Sequence, residues 1–324
     1  MTGALAILAG VGTPGRARAA DVLKIATLAP KSSPWGHVLG VWEKAVAEKS
    51  GGRLELQIFY NGQQGDEAAT VAKIKSGQLA GAIVTAVGLS KIYKPILALQ
   101  CPGLFSSWAK LDKARDAMKA EFEKGISDAG FQLAGWGDVG GVRILSKGIA
   151  VRVPDDIKGK KPYMWRDDPI QPVFYQTLGG VTPVPLNVPE VLPNLNTGAI
   201  DIVTAPSLAA EQLQWASKLD TVQSAVQSFA IGGLVFAQKQ LDALPADLRQ
   251  IVLDTAKVAA NALTKRIRNE DEAAFGRIKG KMTVIDATAD ERAKWDALYK
   301  QVRIKLGQGT FAPALITKLE QLGQ

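Results

Sequence analysis

The sequence predicts an α/β fold in two lobes, each a mixed sheet flanked by helices, with one long helix bridging them. Three observations carry that reading. Strand and helix patterns alternate through residues 22–86, and the same alternation resumes through residues 160–205. Between the two runs, glycines cluster at Gly135, Gly137, Gly140 and Gly141, as suits a flexible crossover between domains. After Pro245, apolar residues recur at threes and fours to about Phe275, a helix of roughly 45 Å, longer than a small domain is wide. At 324 residues the chain also exceeds one comfortable core.

In the first run, "VLKIAT" reads as a strand that breaks at "LAPKSSP". Ser33 then caps a helix with Pro34 at its first position and Trp35, Val38, Trp42, Ala45 and Val46 as its apolar face. Gly51 and Gly52 stop it, and "RLELQIFY" alternates as a second strand. Asp66 caps the helix "EAATVAKIKS", which Gly77 ends. "AGAIVTA" is apolar throughout, as a strand covered on both faces requires. This order is the grammar of an α/β unit with a mainly parallel sheet.

A helix over "KLDKARDAMKAEFEKGISDAG" leads into two strands, "FQLAGWG" and "VRILSK". The second run reads as strand "KKPYMWR", helix "PIQPVFYQTLGG", strand "VTPVPL", helix "VPEVLPNLNTG" and strand "AIDIVTA". "FAIGGLVFAQ" is a further buried strand, and "MTVID" with a helix after Thr288 closes the chain. The tetrapeptide "IVTA" stands at residues 83–86 and again at 202–205, a weak echo of similar units.

Composition removes several function classes. The formal charge is +8, yet Lys and Arg are scattered among Asp and Glu, with no basic stripe to fit a nucleic acid. With one cysteine, Cys101, and one histidine, His37, neither an internal disulfide nor a Cys/His metal cluster can be built. Cys101 in "LQCPGLF" reads as a small buried hydrophobe beside a turn. A Ser-His-Asp triad would need His37, which adjoins no nucleophile motif and reads as a solvated or capping residue. No catalytic set and no cofactor are expected, so the chain reads as a binder and not an enzyme. Its first residues hold a short apolar stretch, "ALAILAGVG", followed by Ala17-Arg18-Ala19, a small-x-small cleavage pattern. That predicts a signal peptide over residues 1–19 and export of the remainder to the periplasm.

On these features the chain resembles a known family. The run from "LKIATLAPKSSPWGHVLGVWEKAVAEKSGGRLELQIFYNGQQGDE" through "PDDIKGKK", "GGVTPVPLNVPEVLPNLNTGAID" and "LPADLRQIV" is similar, in that order, to solute-binding proteins of tripartite ATP-independent periplasmic (TRAP) transporters. The resemblance implies a two-lobed periplasmic-binding-protein fold that closes by hinge motion on a small organic acid or an apolar or aromatic carboxylate. It also implies delivery to TRAP membrane permease subunits driven by an ion gradient. A ligand sensor with a receptor partner in place of a permease is the alternative. The lobes are expected at residues 20–140 plus 230–275 and at 141–229 plus 276–324.

The resemblance also directs attention to site residues, and to departures among them. Members of the family carry G-x-K-x-R-V, whose arginine pairs with the ligand carboxylate; here Tyr163 holds the arginine position. A later D-G-x-E-N-P supplies an asparagine, where this chain has Ala205. An arginine in a G-x-R step is matched by Arg143. Strand alternation puts Tyr163 and Trp165 on one face, as a cleft wall or as a sheet face under a helix, and turns Arg166 to the other. Trp35 stands at the helix start after the first strand, where α/β clefts form. Thr85 and Thr204 end buried strands, Asn187 precedes a helix opening at Pro189, and Trp136 sits in the glycine-rich stretch. For Asn187 a cap, and for Trp136 core packing, are the competing readings, while Trp215 is read as cover for the second lobe.

Overall fold

The computed structural model describes residues 20–323; the predicted signal peptide lies outside the described residues. The first half runs β1 (Asp21–Thr27), α1 (Pro34–Lys49), β2 (Leu54–Phe59), α2 (Glu67–Lys75), β3 (Gly81–Thr85), α3 (Ala86–Ser90) and α4 (Trp108–Asp128) to β4 (Phe131–Ser146). The second runs β5 (Tyr163–Trp165), α5 (Ile170–Leu178), β6 (Val184–Leu186), α6 (Val191–Thr197), β7 (Ile202–Pro206), α7 (Ser207–Gln212), β8 (Thr221–Gln223) and β9 (Ser228–Ala237). Then come α8 (Gln238–Asp242), α9 (Ala246–Lys279), β10 (Thr283–Ile285), α10 (Ala289–Gly309) and α11 (Pro313–Leu322). The predicted caps are in place, with Ser33 accepting from the Gly36 N–H and Asp66 from that of Glu67; Thr288 also caps its helix, accepting from the Glu291 N–H.

The main sheet has the order β10-β8-β4-β9-β3-β1-β2, with β7 also on β4. β1 pairs parallel with β2 and β3, whereas β9 pairs antiparallel with both β3 and β4. The first half of β4 therefore belongs to the β1–β3 lobe, and its last residues, Val142–Ser146, take up β7 and β8 of the other. β5 and β6 form a parallel pair joined to β7 through a Pro162–Ile202 bridge.

This corrects one expectation. The glycine cluster is not a flexible crossover: it lies inside β4, which runs unbroken from Phe131 to Ser146 with register shifts at Leu133/Gly135 and Asp138/Gly140. The glycines serve close packing instead. A Cβ on Gly135 would lie 2.4 Å from the Ala260 Cβ on α9, and Gly140 combines φ +143° with the Asp271 carboxyl 2.5 Å from where its Cβ would be. β4 can hug the long helix only without side chains there.

α9 has 34 residues, about 50 Å of helix. It packs on α1 on one side of the molecule and on α7 on the other, with β4 along its length. Leu39, Trp42 and Val46 meet Val252, Ala256 and Leu263 in one buried cluster, and Tyr163, Val191, Val203 and Trp215 anchor another in the second lobe. α10 packs on α5 and α11 on α4, so the last two helices reach both halves of the chain. The two "IVTA" segments turn out to be equivalent in form: β3 into α3 and β7 into α7, each strand paired antiparallel to a long crossing strand.

Candidate functional site

A cavity of about 240 Å³ lies between the lobes. The first lobe lines it with Trp35 from the start of α1, Glu67 from the start of α2 and Ile83–Thr85 from the end of β3. The second contributes Tyr163 and Trp165 from β5, Asp168 and Phe174 around α5, and Thr204 with Ala205 from the end of β7. Gly137–Val139 of β4 and Gln227 with Ser228, at the opening of β9, close it from the crossing strands. Strand ends and helix starts converge here because the sheets of both lobes present their loops to the gap, the usual place for a ligand in α/β proteins.

Of the residues singled out from sequence, Tyr163, Trp165, Trp35, Thr85 and Thr204 line this cavity, and Met164, on the other face of β5, does not. Three lie elsewhere. Arg143 is buried against α9: its guanidinium lies over the Phe275 ring at 3.9 Å, with Asp271 at 3.8 Å and Glu272 at 3.4 Å. Asn187 opens the turn Val188–Glu190, its backbone N–H donating to the Glu190 carboxylate at 2.6 Å. Trp136 packs between Phe122 and the Arg115 guanidinium, outside the wall. Trp215, read as cover, meets the Tyr163 ring edge-on at 6.0 Å and also lines the cavity.

Sequence reasoning missed the wall's acids and amides. Glu67 is buried at the first position of α2 and accepts from the Thr85 N–H, the Thr85 hydroxyl and the Gly88 N–H, each at 2.7 Å. Burial pushes its carboxyl up to about 7 despite those bonds. Asp168 accepts from the Ile170 N–H at 2.8 Å at the head of α5, and burial pushes it up to about 6. The one available sign for Glu67 was its place after a helix cap in a predicted cleft, and a carboxylate there ordinarily reads as solvated.

The lobes also touch beside the cavity. The Asp66 carboxylate caps α2 and accepts from the Trp165 indole N–H at 3.1 Å and the Val188 N–H at 2.8 Å, both in the second lobe. Lys91 donates to the Asp167 carbonyl at 2.7 Å. Trp165 is thus tied directly to the first lobe through Asp66.

The sequence profile of the bacterial extracellular solute-binding proteins, family 7, matches residues 25–306. The protein belongs to that family. A solute-binding protein of Verminephrobacter eiseniae is 25% identical over 274 residues, 83% of this chain and 81% of that one. The C4-dicarboxylate-binding periplasmic protein of Vibrio cholerae is 24% identical over 279 residues, 82% and 80% of the two chains. Among solved structures, a TRAP periplasmic solute-binding protein from Sulfurospirillum deleyianum with bound succinate superposes with a TM-score of 0.87 at 18% identity, over 94% of this chain and 100% of that one. A sugar acid binding protein from Advenella mimigardefordensis in complex with galactonate gives 0.87 at 16%, over 94% and 98%. These likenesses show a shared two-lobed fold. No helix among the described residues is long and apolar enough to cross a membrane.

Proposed function

We propose that this protein is the periplasmic receptor of a TRAP-type transporter and captures a small organic solute with an apolar or aromatic body by closure of its two lobes. The observation that carries the reading is the cavity between the lobes, whose wall sets Tyr163, Trp165, Trp35, Phe174 and Trp215 around a space of solute size. β4 and β9 run from one lobe to the other and α9 packs on both, so they supply the hinge, and the Asp66 and Lys91 contacts hold the closed form. Closure around a solute needs no covalent chemistry. A membrane permease then receives the solute from the opened receptor.

The relatives named above are described with succinate, galactonate or C4-dicarboxylates. This wall departs from what two carboxylates need, because among the described residues lining it there is no Lys, Arg or His. A carboxylate taken out of water without a paired cation costs several kcal/mol. Ring surface instead rewards an apolar body at about 25 cal/mol per Å² removed from water. The expected order is an apolar monoacid or an uncharged apolar solute ahead of succinate or malate, with Trp165→Ala weakening the best binder by roughly tenfold or more. Calorimetry on a ligand panel, guided by mass spectrometry of whatever gently purified protein retains, tests this. Tight succinate binding, or a Trp165→Ala variant that binds as the parent does, would overturn it.

A further inference from the structure

The wall includes two residues whose buried polar atoms have no partner among the described residues, the Tyr163 hydroxyl and the Gln227 side-chain amide nitrogen; a third such atom, the Trp136 indole N–H, stands outside it. Tyr163 is 2% exposed and Gln227 7%. Backbone groups of both are already engaged. The Tyr163 carbonyl accepts from the Tyr175 hydroxyl at 3.1 Å, the Gln227 N–H donates to the Val142 carbonyl at 2.9 Å, and the Gln227 carbonyl accepts from the Gly103 N–H at 2.7 Å. What remains is one hydroxyl and one NH2, both able to donate. Buried donors left without an acceptor are destabilising, and native proteins keep few of them. Two of the three belong to residues that line one solute-sized cavity, where acceptors can arrive with a solute.

The charged groups of the wall narrow the kind of acceptor. Glu67, Asp138 and Asp168 line the cavity; Arg115 and Arg268 neutralise Asp138 from outside the wall, and no lining residue among those described is a cation. Arg143, the arginine nearest in sequence to a binding role, is spent on Asp271, Glu272 and the Phe275 ring. A solute carboxylate would therefore meet only neutral donors, beside the acids Glu67 and Asp168. A solute ammonium would find the acids already engaged: Glu67 accepts from three donors, Asp138 pairs with Arg115 and Arg268, and Asp168 accepts from Ile170. We infer that Tyr163 and Gln227 are the specificity-determining donors of this site, and that they select an uncharged solute presenting carbonyl or other neutral oxygen acceptors on an apolar or aromatic body. This deepens the receptor reading and rests on it.

The test uses three matched probe sets of aromatic compounds no larger than the cavity: neutral amides, ketones and esters, the corresponding carboxylates, and the corresponding amines. Each is screened by thermal shift, and the best of each set goes to calorimetry on the parent, Tyr163→Phe, Gln227→Met and Trp165→Ala proteins. The neutral set should give the tightest binder. Tyr163→Phe and Gln227→Met should each weaken it by roughly fivefold to tenfold, as loss of one hydrogen bond does. Tyr163→Phe should leave the melting temperature of the unliganded protein unchanged or raised, because it removes a hydroxyl that has no partner; a hydroxyl with a structural role would lower it. A carboxylate or an amine as the tightest binder, or neutral binding indifferent to both donor variants, overturns the inference. If a carboxylate wins and still depends on Trp165, the receptor reading stands and only the inference falls. No binder in any set, with none retained on purification, sinks both.

Discussion

Around Asp138 the buried charges are matched, whereas around Tyr163 and Gln227 the buried donors are neutral and unmatched. Asp138, on β4, accepts from Arg115 of α4 at 2.7 Å and from Arg268 of α9 at 2.7 Å, and both arginines also reach Asp112. The Arg268 guanidinium lies 4.2 Å from the Trp108 ring centroid. The cluster ties α4, β4 and α9 together, and its two carboxylates and two guanidinium groups match one another. Arg143 follows the same rule with Asp271 and Phe275. Cations near the crossing strands are thus consumed by architecture, and recognition falls to hydroxyl, amide and ring. The difference teaches that an arginine close to a cleft in sequence says little until its carboxylate partners are located.

The largest effect should come from breaking the matched side. Asp138→Ala leaves two largely buried guanidinium groups sharing Asp112, and removing one member of a buried ion cluster costs about 3–5 kcal/mol. Urea unfolding should show a midpoint lowered to match, with the slope unchanged. A loss under about 1 kcal/mol would mean that the cluster is no more than a surface network, and the contrast with the wall would dissolve.

Much of the fold was legible because it is local. Caps at Ser33 and Asp66, the apolar period of α9 and the alternation that sets Tyr163 and Trp165 on one face each need only a few neighbouring residues. β4 was not legible as one strand, since its glycines read as loop until Ala260 and Asp271 of α9 explain them. Arg143 and Trp136 were drawn toward the site by sequence position, while their partners stand on α9 and α4. Gln227 was missed for a related reason: nothing in "VQSFAIGG" marks a glutamine whose amide finds no acceptor. Such a vacancy exists only once β9 and β4 are paired.

A middle-sized effect tests the wall's own charge. Burial raises Glu67 from its ordinary 4.5 to about 7, so the folded protein holds a proton there that the unfolded chain releases earlier. The stability from that proton is fully present below 4.5 and is lost as pH rises through about 7. Glu67→Gln abolishes this titration. The stability of the parent relative to the variant should therefore fall by on the order of 3 kcal/mol between about pH 4 and about pH 8. Unfolding curves across that range measure it. Parallel curves for the two proteins would show that Glu67 is already ionised throughout, like a matched carboxylate, and would move it to the other side of the comparison.

The smallest effect is expected at Arg166, the residue that follows Trp165. Its guanidinium is half exposed, donating to the Glu190 carboxylate at 3.3 Å and the Pro185 carbonyl at 3.2 Å. β5 alternation turns it away from the face that Tyr163 and Trp165 share, and it does not line the cavity. Exposed pairs of this kind contribute about 0–1 kcal/mol, so Arg166→Ala should shift stability by less than about 1 kcal/mol. Affinity for the best binder should stay within about twofold, since no contact to the solute is lost. The variant isolates one question that the larger changes cannot, because it removes the cation closest in sequence to the wall and disturbs no buried group. If affinity collapses while stability holds, Arg166 must swing into the cleft on binding. The wall would then have its cation, and an acid would become the natural ligand.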